Sequence, residues 1–348
     1  MRDIASTLRE WVAAERQFAI ARVMSTWGSA PRRVGSAMAI SSDLRVVGSV
    51  SGGCIEGEVI EAVPGVLASG HQRVLEFGIA DETAWSVGLS CGGRVRVLLE
   101  PFAHSSNDPE AVQTDDAVVS ALCDSRPVVW LTTVQSGPSH HLLIDPAGQH
   151  TGEPKYFPQA AIDRAVTSYH SRSSGPVEIG DRHIFIHVLP PRSTLLIVGA
   201  TDIAIHLVRL ASALDFETVV IDPREVFASV ERFNPAPDQL IARWPQQALP
   251  NAHLDDETYA VLLTHDPKID DPALHHFLNS EIPYIGALGS KRTHAKRLER
   301  LGAAGFTTGQ TDRIHGPVGL DIGAASPAEI ALSVIAQIVH ARNRKLAV

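Results

Sequence analysis

The sequence predicts an α/β protein built in two parts: an N-terminal mixed α/β domain over residues 1–190 and a C-terminal Rossmann-like doubly wound domain over residues 191–348. Three observations carry this reading. The first half is made of short apolar or alternating runs separated by Gly, Ser and Pro, the pattern of strands and turns. The second half alternates short buried runs with amphipathic segments of helical length, the pattern of a parallel sheet covered on both faces. Between them Pro190 and Pro191 punctuate the chain, and 348 residues suffice for two cores.

Taken in order, the N-terminus reads as a helix with Ile4, Leu8 and Trp11 on one face. FAIARVM, SAMAI, RVVGSV, RVLEFGI, RVRVLLE and PVVWLTTV read as strands, with a helix following Cys54. Residues 102–116, FAHSSNDPEAVQTDD, are polar and read as a surface loop. A helical segment over residues 157–172 leads to the strand HIFIHVL. Beyond the boundary, TLLIVGA, TVVIDP, YAVLLTH and YIGAL are buried strands, and DIAIHLVRLASAL is a helix. SPAEIALSVIAQIVHAR closes the chain as a helix. Ser326 can cap it, Pro327 suits its first turn, Glu329 completes a capping box, and Ile330, Val334 and Ile338 share an apolar face.

Composition narrows the function. With 44% hydrophobic and 20% charged residues this is an ordinary soluble globular chain. A formal charge of -9 argues against a nucleic-acid partner. No apolar run reaches the roughly 18 residues of a membrane span, and the N-terminus lacks the apolar stretch of a signal peptide, so a cytoplasmic protein is expected. Three widely spaced cysteines make no disulfide framework, and no CxxC, HExxH or zinc-type cluster occurs.

Three Gly-rich loops stand out in the first half: WGSAPRRVGSAM (27–38), SGGCIEGE (51–58) and GLSCGGRV (88–95). Glycines let a backbone turn sharply and approach a ligand. Cys54 stands where a helix begins, a position that favours the thiolate, the form that acts as nucleophile and metal ligand. The amides of Gly52 and Gly53 at that helix start can meet an anion, and Arg32 can supply charge to a phosphate or carboxylate. Cys91 with Gly92 repeats the setting. The plainer alternatives stay open: glycine pairs also mark ordinary turns, an isolated cysteine is often a small buried hydrophobe, and Cys54 with Cys91 is also a candidate disulfide switch. Cys123 lacks a glycine setting and reads as structural.

In the second half Gly199 ends a strand before a helix, and Asp222 ends the next strand, where an acid can hold a ribose hydroxyl. The segment is GATDIA rather than GxGxxG: Thr201 stands at the second glycine, and Asp202 adds negative charge at the helix start, where either residue also suits an N-cap. Binding of NAD or FAD is therefore not expected. LTHDPKIDD, with His265, and GALGSKRTHAKR, with Lys291 and Arg292, flank the expected crevice, and His315 opens a further Gly-rich loop as a candidate ligand or acid/base. His183 and His187 share a strand face without an evident role.

GSAPRRVGSAM, SVSGGCIEGEV and LSCGGRVRVLLEP resemble the N-terminal domain of the XdhC/CoxI family. LLIVGATDIAIHLVRLA, VVIDPR, LTHDPKIDDPAL, YIGALGSKR and HGPVGLDIGAASPAEIALSVIAQIV resemble its Rossmann-type domain, where members commonly have GAGHV at the place of GATDI. The resemblance implies an accessory protein that binds molybdenum cofactor (molybdopterin), aids its sulfuration and delivers it to a xanthine dehydrogenase-type molybdenum hydroxylase, with no catalytic residue of its own. A cysteine desulfurase is a further candidate partner. Cys54 and Cys91 match the family's cysteines in SGGC and CGG and become the candidate metal-end ligands; Arg32, Gly52, Gly53, Gly92, Gly199, Asp222 and His315 complete the candidate cofactor-binding set. The chain lacks the length of a hydroxylase large subunit and the cysteines of its iron–sulfur clusters. The alternative function is a nucleotide-dependent oxidoreductase using the Rossmann half. The oligomeric state is left open, a homodimer included.

Overall fold

Side-chain alternation along residues 18–27 decides the architecture of the first half. In this computed structural model, which describes residues 1–28, 32–78, 93–102 and 108–345, β1 (Phe18–Trp27) sends Ala19, Ala21 and Val23 into one apolar cluster and Phe18 and Ile20 into another. A strand buried on both faces reads as a continuous apolar run, and it forces a layered fold. The chain divides into two units, Met1–Pro191 and Arg192–Val348.

In the first unit, α1 (Ala5–Ala13) precedes β1, β2 (Ala37–Ser41) and β3 (Val46–Gly48). Then come α2 (Glu56–Ser69), β4 (Arg73–Phe77) and β5 (Arg94–Pro101). The five strands form one antiparallel sheet in the order β3-β2-β1-β5-β4. The pattern then repeats. After α3 (Pro109–Cys123) come β6 (Val128–Thr133), β7 (His141–Ile144) and β8 (His150–Gly152). They are followed by α4 (Gln159–His170), β9 (Gly175–Ile179) and β10 (Arg182–Leu189). This second sheet is also antiparallel, in the order β8-β7-β6-β10-β9. Each half is thus helix, three strands, helix, two strands, with the same strand order. Helix α2 covers one face of the first sheet, α4 one face of the second, and α1 and α3 share a cluster with Phe18, Ile20, Trp130 and Leu189.

The loop expected over residues 102–116 is corrected by α3. Asp108 caps it, accepting from the amides of Glu110 and Ala111; Pro109 fills its first turn; and Ala111, Val118 and Leu122 are buried. The polar residues that suggest a loop include the exposed side of an amphipathic helix. Residues 103–107 lie outside the described set.

Between the two sheets lies a charged cluster. Arg22 on β1 is fully buried, donates to Glu100 on β5 (2.5 Å) and Thr132 on β6 (2.6 Å), and lies 3.5 Å over the ring of Trp130. Trp130 Nε1–H donates to His141 Nδ1 at 2.8 Å, and His141 Nε2 lies 3.6 Å from Glu100. Burial, helped by the charge of Arg22 and opposed by Glu100, lowers the His141 pKa to about 4, so the imidazole is neutral at pH 7. His187, which reads as incidental in the sequence, is buried among Trp130, Phe185 and Gly35; a Cβ on Gly35 would sit 2.5 Å from its Nε2. That contact fixes the root of the first Gly-rich loop.

The second unit is a parallel sheet. Its first four strands are β11 (Ser193–Val198), β12 (Phe216–Ile221), β13 (Gln239–Ile241) and β14 (Thr258–Leu262). β15 (Tyr284–Ala287) and β16 (Ile314–His315) complete the order β13-β12-β11-β14-β15-β16. Counted from β11 this is 3-2-1-4-5-6, the order of a dinucleotide-binding sheet. One face is covered by α5 (Asp202–Ala213) and α10 (Pro327–Lys345). The other is covered by α7 (Pro267–Leu278) and α8 (Lys291–Ala303), the short α6 (Pro245–Ala248) preceding α7 and the short α9 (Thr308–Thr311) following α8. The capping box of α10 forms as expected: Ser326 N–H donates to Glu329 at 2.8 Å, and Glu329 N–H donates to Ser326 Oγ at 3.3 Å. Among the described residues no helix is long and apolar enough to cross a membrane.

Candidate functional site

Strand direction gathers the stems of the three Gly-rich loops. β1 and β3 run the same way, because each is antiparallel to β2; β4 shares their direction, because both β1 and β4 are antiparallel to β5. The pairs Met38↔Gly48, Trp27↔Arg94 and Phe77↔Val95 therefore put the ends of β1, β3 and β4 at one end of the first sheet. The segments after Trp27, after Gly48 and after Phe77 all leave from there. In the second sheet the equivalent connections are residues 134–140, 153–158 and the two-residue turn Gly180–Asp181. The first two pairs of connections are of similar length; the third differs, residues 78–93 joining β4 to β5 where Gly180–Asp181 join β9 to β10.

At this end Cys54 is exposed, as is Arg32. Gly52 (φ 100°) and Gly53 (φ 119°) adopt conformations that side-chain-bearing residues rarely hold, with nothing among the described residues within 4 Å of a Cβ built on either. Among the described residues, these glycines serve the turn and not a close approach. Cys91 and Gly92 lie outside the described residues. Their strand stems are described, and Gly78 packs so tightly against Gly93 that a Cβ would lie 2.1 Å from its carbonyl oxygen.

The loop amides already have a partner that the sequence reading missed. The Glu56 carboxylate accepts from the N–H groups of Ser51, Gly52 and Gly53 at 2.9 Å each, from those of Ile55 (3.2 Å) and Val50 (3.3 Å), and from the hydroxyls of Ser49 and Ser51. Burial alone would raise this carboxyl's pKa. The bonds from Ser51, Ser49 and the amides outweigh burial and hold it well below the usual carboxylate range. A ligand phosphate would have to displace Glu56 to reach Gly52 and Gly53. An acid in the first turn of a helix after a Ser-Gly-Gly run is the available sequence signal. A second feature missed is Trp27, 51% exposed, which with Glu76, Arg94 and Arg96 lines a surface depression at the same end.

In the second unit Gly199 (φ 106°) approaches the segment that follows β14 so closely that a Cβ would lie 2.5 Å from Thr264 Cγ2. Asp222 is brought beside it: the Ala200 N–H donates to Asp222 Oδ2 at 2.8 Å. Asp222 is buried and also accepts from the Arg224 amide and guanidinium at 2.7–2.9 Å, which hold its carboxyl low against the burial that would raise it. Arg232 donates to the Ala200 carbonyl (2.6 Å) and to Asp202 (3.1 Å), so Asp202 is paired across the glycine turn. Thr201 occupies the N-cap position of α5, but its side chain makes no cap bond. His315 is not part of this group. It ends β16, with β14 and β15 intervening between it and β11, and stacks on Tyr284 at 4.7 Å. Lys291 and Arg292 are exposed in the first turn of α8, and His265 is exposed after β14.

A family model described as the XdhC and CoxI family matches residues 11–78, and one described as the XdhC Rossmann domain matches residues 195–338. The chain is 28% identical over 332 residues to a probable xanthine dehydrogenase subunit of Bacillus subtilis (strain 168), covering 95% of this chain and 94% of that protein. It is 26% identical over 316 residues to the molybdenum cofactor insertion chaperone PaoD of Escherichia coli (strain K12), covering 90% and 80%. A crystal structure described as a xanthine dehydrogenase from Bacillus halodurans matches with a TM-score of 0.78 at 26% identity, covering 98% of this chain and 96% of the other. The two family models fall in chain order on the two units, and the likenesses run through both: the chain belongs to the XdhC and CoxI family.

Proposed function

We propose that this chain is a molybdenum cofactor chaperone, which holds the cofactor and passes it to a molybdenum hydroxylase. The observation that carries the reading is that the strand ends from which the three Gly-rich segments leave lie at one end of the first sheet, with the Cys54 thiol and Arg32 exposed there. The cargo has a soft, sulfur-rich metal end and a phosphate tail. Thiolate suits the metal, and a guanidinium suits the phosphate. The likeness to a protein named as a cofactor insertion chaperone supports the same reading. In this proposal Cys54 holds the metal end together with Cys91, Arg32 takes the tail, and the exposure of Cys54 and Arg32 lets the cargo leave for its client.

The test loads purified protein with cofactor, mixes it with apo-hydroxylase and follows the appearance of hydroxylase activity. Cys54→Ala is expected to retain about tenfold less cofactor, a loss of roughly 1.4 kcal/mol in binding, and to activate correspondingly poorly. Normal loading and transfer by this variant would remove Cys54 from the mechanism; a native protein that holds no pterin would overturn the chaperone reading.

The oxidoreductase alternative requires dinucleotide binding at Gly199 and Asp222. The Asp222 carboxylate is already committed to Arg224 and the Ala200 amide. A ribose diol would have to break those charge-assisted bonds. Calorimetry with NAD and with FAD is expected to show no binding tighter than about micromolar; tighter binding would restore the alternative.

A further inference from the structure

We propose that Glu56 is a positioning residue for Cys54: its carboxylate is the template on which the Ser49–Ile55 segment folds, and without it the thiol is no longer presented to cargo. The inference rests on the reading of Cys54 as a cofactor ligand and deepens it.

Seven donors converge on this one side chain, five backbone amides and two hydroxyls, all from the seven residues that precede it. The Ser51 hydroxyl works both ways: it donates to Glu56 and accepts from the amides of Cys54 (3.0 Å) and Ile55 (3.2 Å). Helix α2 has no side-chain cap from Ile55, the residue at its N-cap position, so Ser51 and Glu56 are what engage the amides at its start. Among the described residues, nothing lies within 4 Å of a Cβ built on Gly52 or Gly53. Among the described residues, hydrogen bonds from the amides of Gly52 and Gly53 to Glu56, and from Gly52 to Ser49, hold these two glycines at φ 100° and 119°. Glycine in such a turn has a large conformational freedom to recover once released. Remote packing does not replace the carboxylate: Val59, Val63 and Val66 anchor α2 to the sheet behind the loop, so the helix has support of its own. Loss of Glu56 should release the loop and spare the fold.

Three measurements on the full chain separate the possibilities. Hydrogen exchange of the amides at residues 51–55 is expected to accelerate by about tenfold or more in Glu56→Ala, with the thermal midpoint close to that of the parent. Cofactor retention is expected to fall together with that protection. Glu56→Gln keeps an oxygen for some of the donors but offers an NH2 to the rest, so it is expected to lie between parent and Glu56→Ala in both readouts; it also serves if Glu56→Ala does not fold. Unchanged amide exchange in both variants would overturn the template role. Faster exchange with full cofactor retention would overturn the positioning role while leaving Cys54 as ligand, provided Cys54→Ala still fails to load. Normal loading by Cys54→Ala would overturn the reading on which both rest, whatever the exchange data show.

Discussion

Glu100→Ala is expected to cost the first unit about 3–5 kcal/mol, the range for removing one partner of a buried ion pair. Arg22 and Glu100 are both essentially sealed from solvent, and their contact is 2.5 Å long. Burial lowers the Arg22 pKa, with Glu100 and then Asp115 opposing that effect, so the pair is held together against a desolvation penalty. With Glu100 gone, the guanidinium keeps the Thr132 hydroxyl, the face of Trp130 and the field of Asp115, none of which replaces a carboxylate in contact. The thermal midpoint of the unit should fall by roughly 6–20 °C, taking about 2–4 °C per kcal/mol for a domain of this size. The double variant Arg22→Met with Glu100→Leu should recover most of the loss, because apolar residues of similar volume suit the site. A drop below about 1 kcal/mol for Glu100→Ala would show that the pair is dispensable.

The second large effect is a pH dependence set by Asp270. This residue lies in the first turn of α7, is 2% exposed, accepts a hydrogen bond from the Thr264 hydroxyl and lies 3.4 Å from the buried Arg297. Burial raises its pKa from 3.8 to about 6, even though Thr264 and Arg297 pull it down. For a carboxyl whose folded pKa is raised, the native state holds the proton more tightly. Its contribution is greatest below pH 3.8, declines as pH rises through about 6, and is constant above. About two pH units at about 1.4 kcal/mol each give a total of about 3 kcal/mol. Denaturant midpoints of the parent and Asp270→Asn between about pH 4 and 7 isolate the group: the parent should lose about 2 kcal/mol more than the variant across that window. Parallel curves would contradict the assignment.

The Rossmann half is legible because its periodicities are local: buried strands of four to six residues, amphipathic helices, and a capping box spelled out at residues 326–329. The end of the first sheet that carries the Gly-rich loops is visible as composition. Its convergence is not, because that depends on strand directions fixed by pairings such as Trp27↔Arg94. Helix α3 is hidden by Asp, Asn and Ser near its start, where the same residues that make loops also make caps. Arg22 sits within FAIARVM as one polar residue in an apolar run, and nothing local names Glu100 as its partner. Gly52 and Gly53 read as an open anion site because a motif shows donors but not which acceptor in the same chain reaches them first. The place of Asp222 beside Gly199 follows from the strand ends, but its neighbour Arg224 competes for the carboxylate in a way that strand periodicity does not reveal.

The repeated order of strands in the first unit has a consequence for its ancestry. In the register, Arg22 is the last β1 residue paired to β2, and Thr132 is the last β6 residue paired to β7; these equivalent positions touch each other directly. Equivalent residues meeting across a shared face is the hallmark of an isologous dimer. The unit has the form of two such protomers fused head to tail, the join falling between β5 and α3. Fusion frees the copies to diverge. The copies differ most at one connection: Gly180–Asp181 join β9 to β10, whereas residues 78–93 join β4 to β5, so a long connection that symmetry would have supplied twice occurs once.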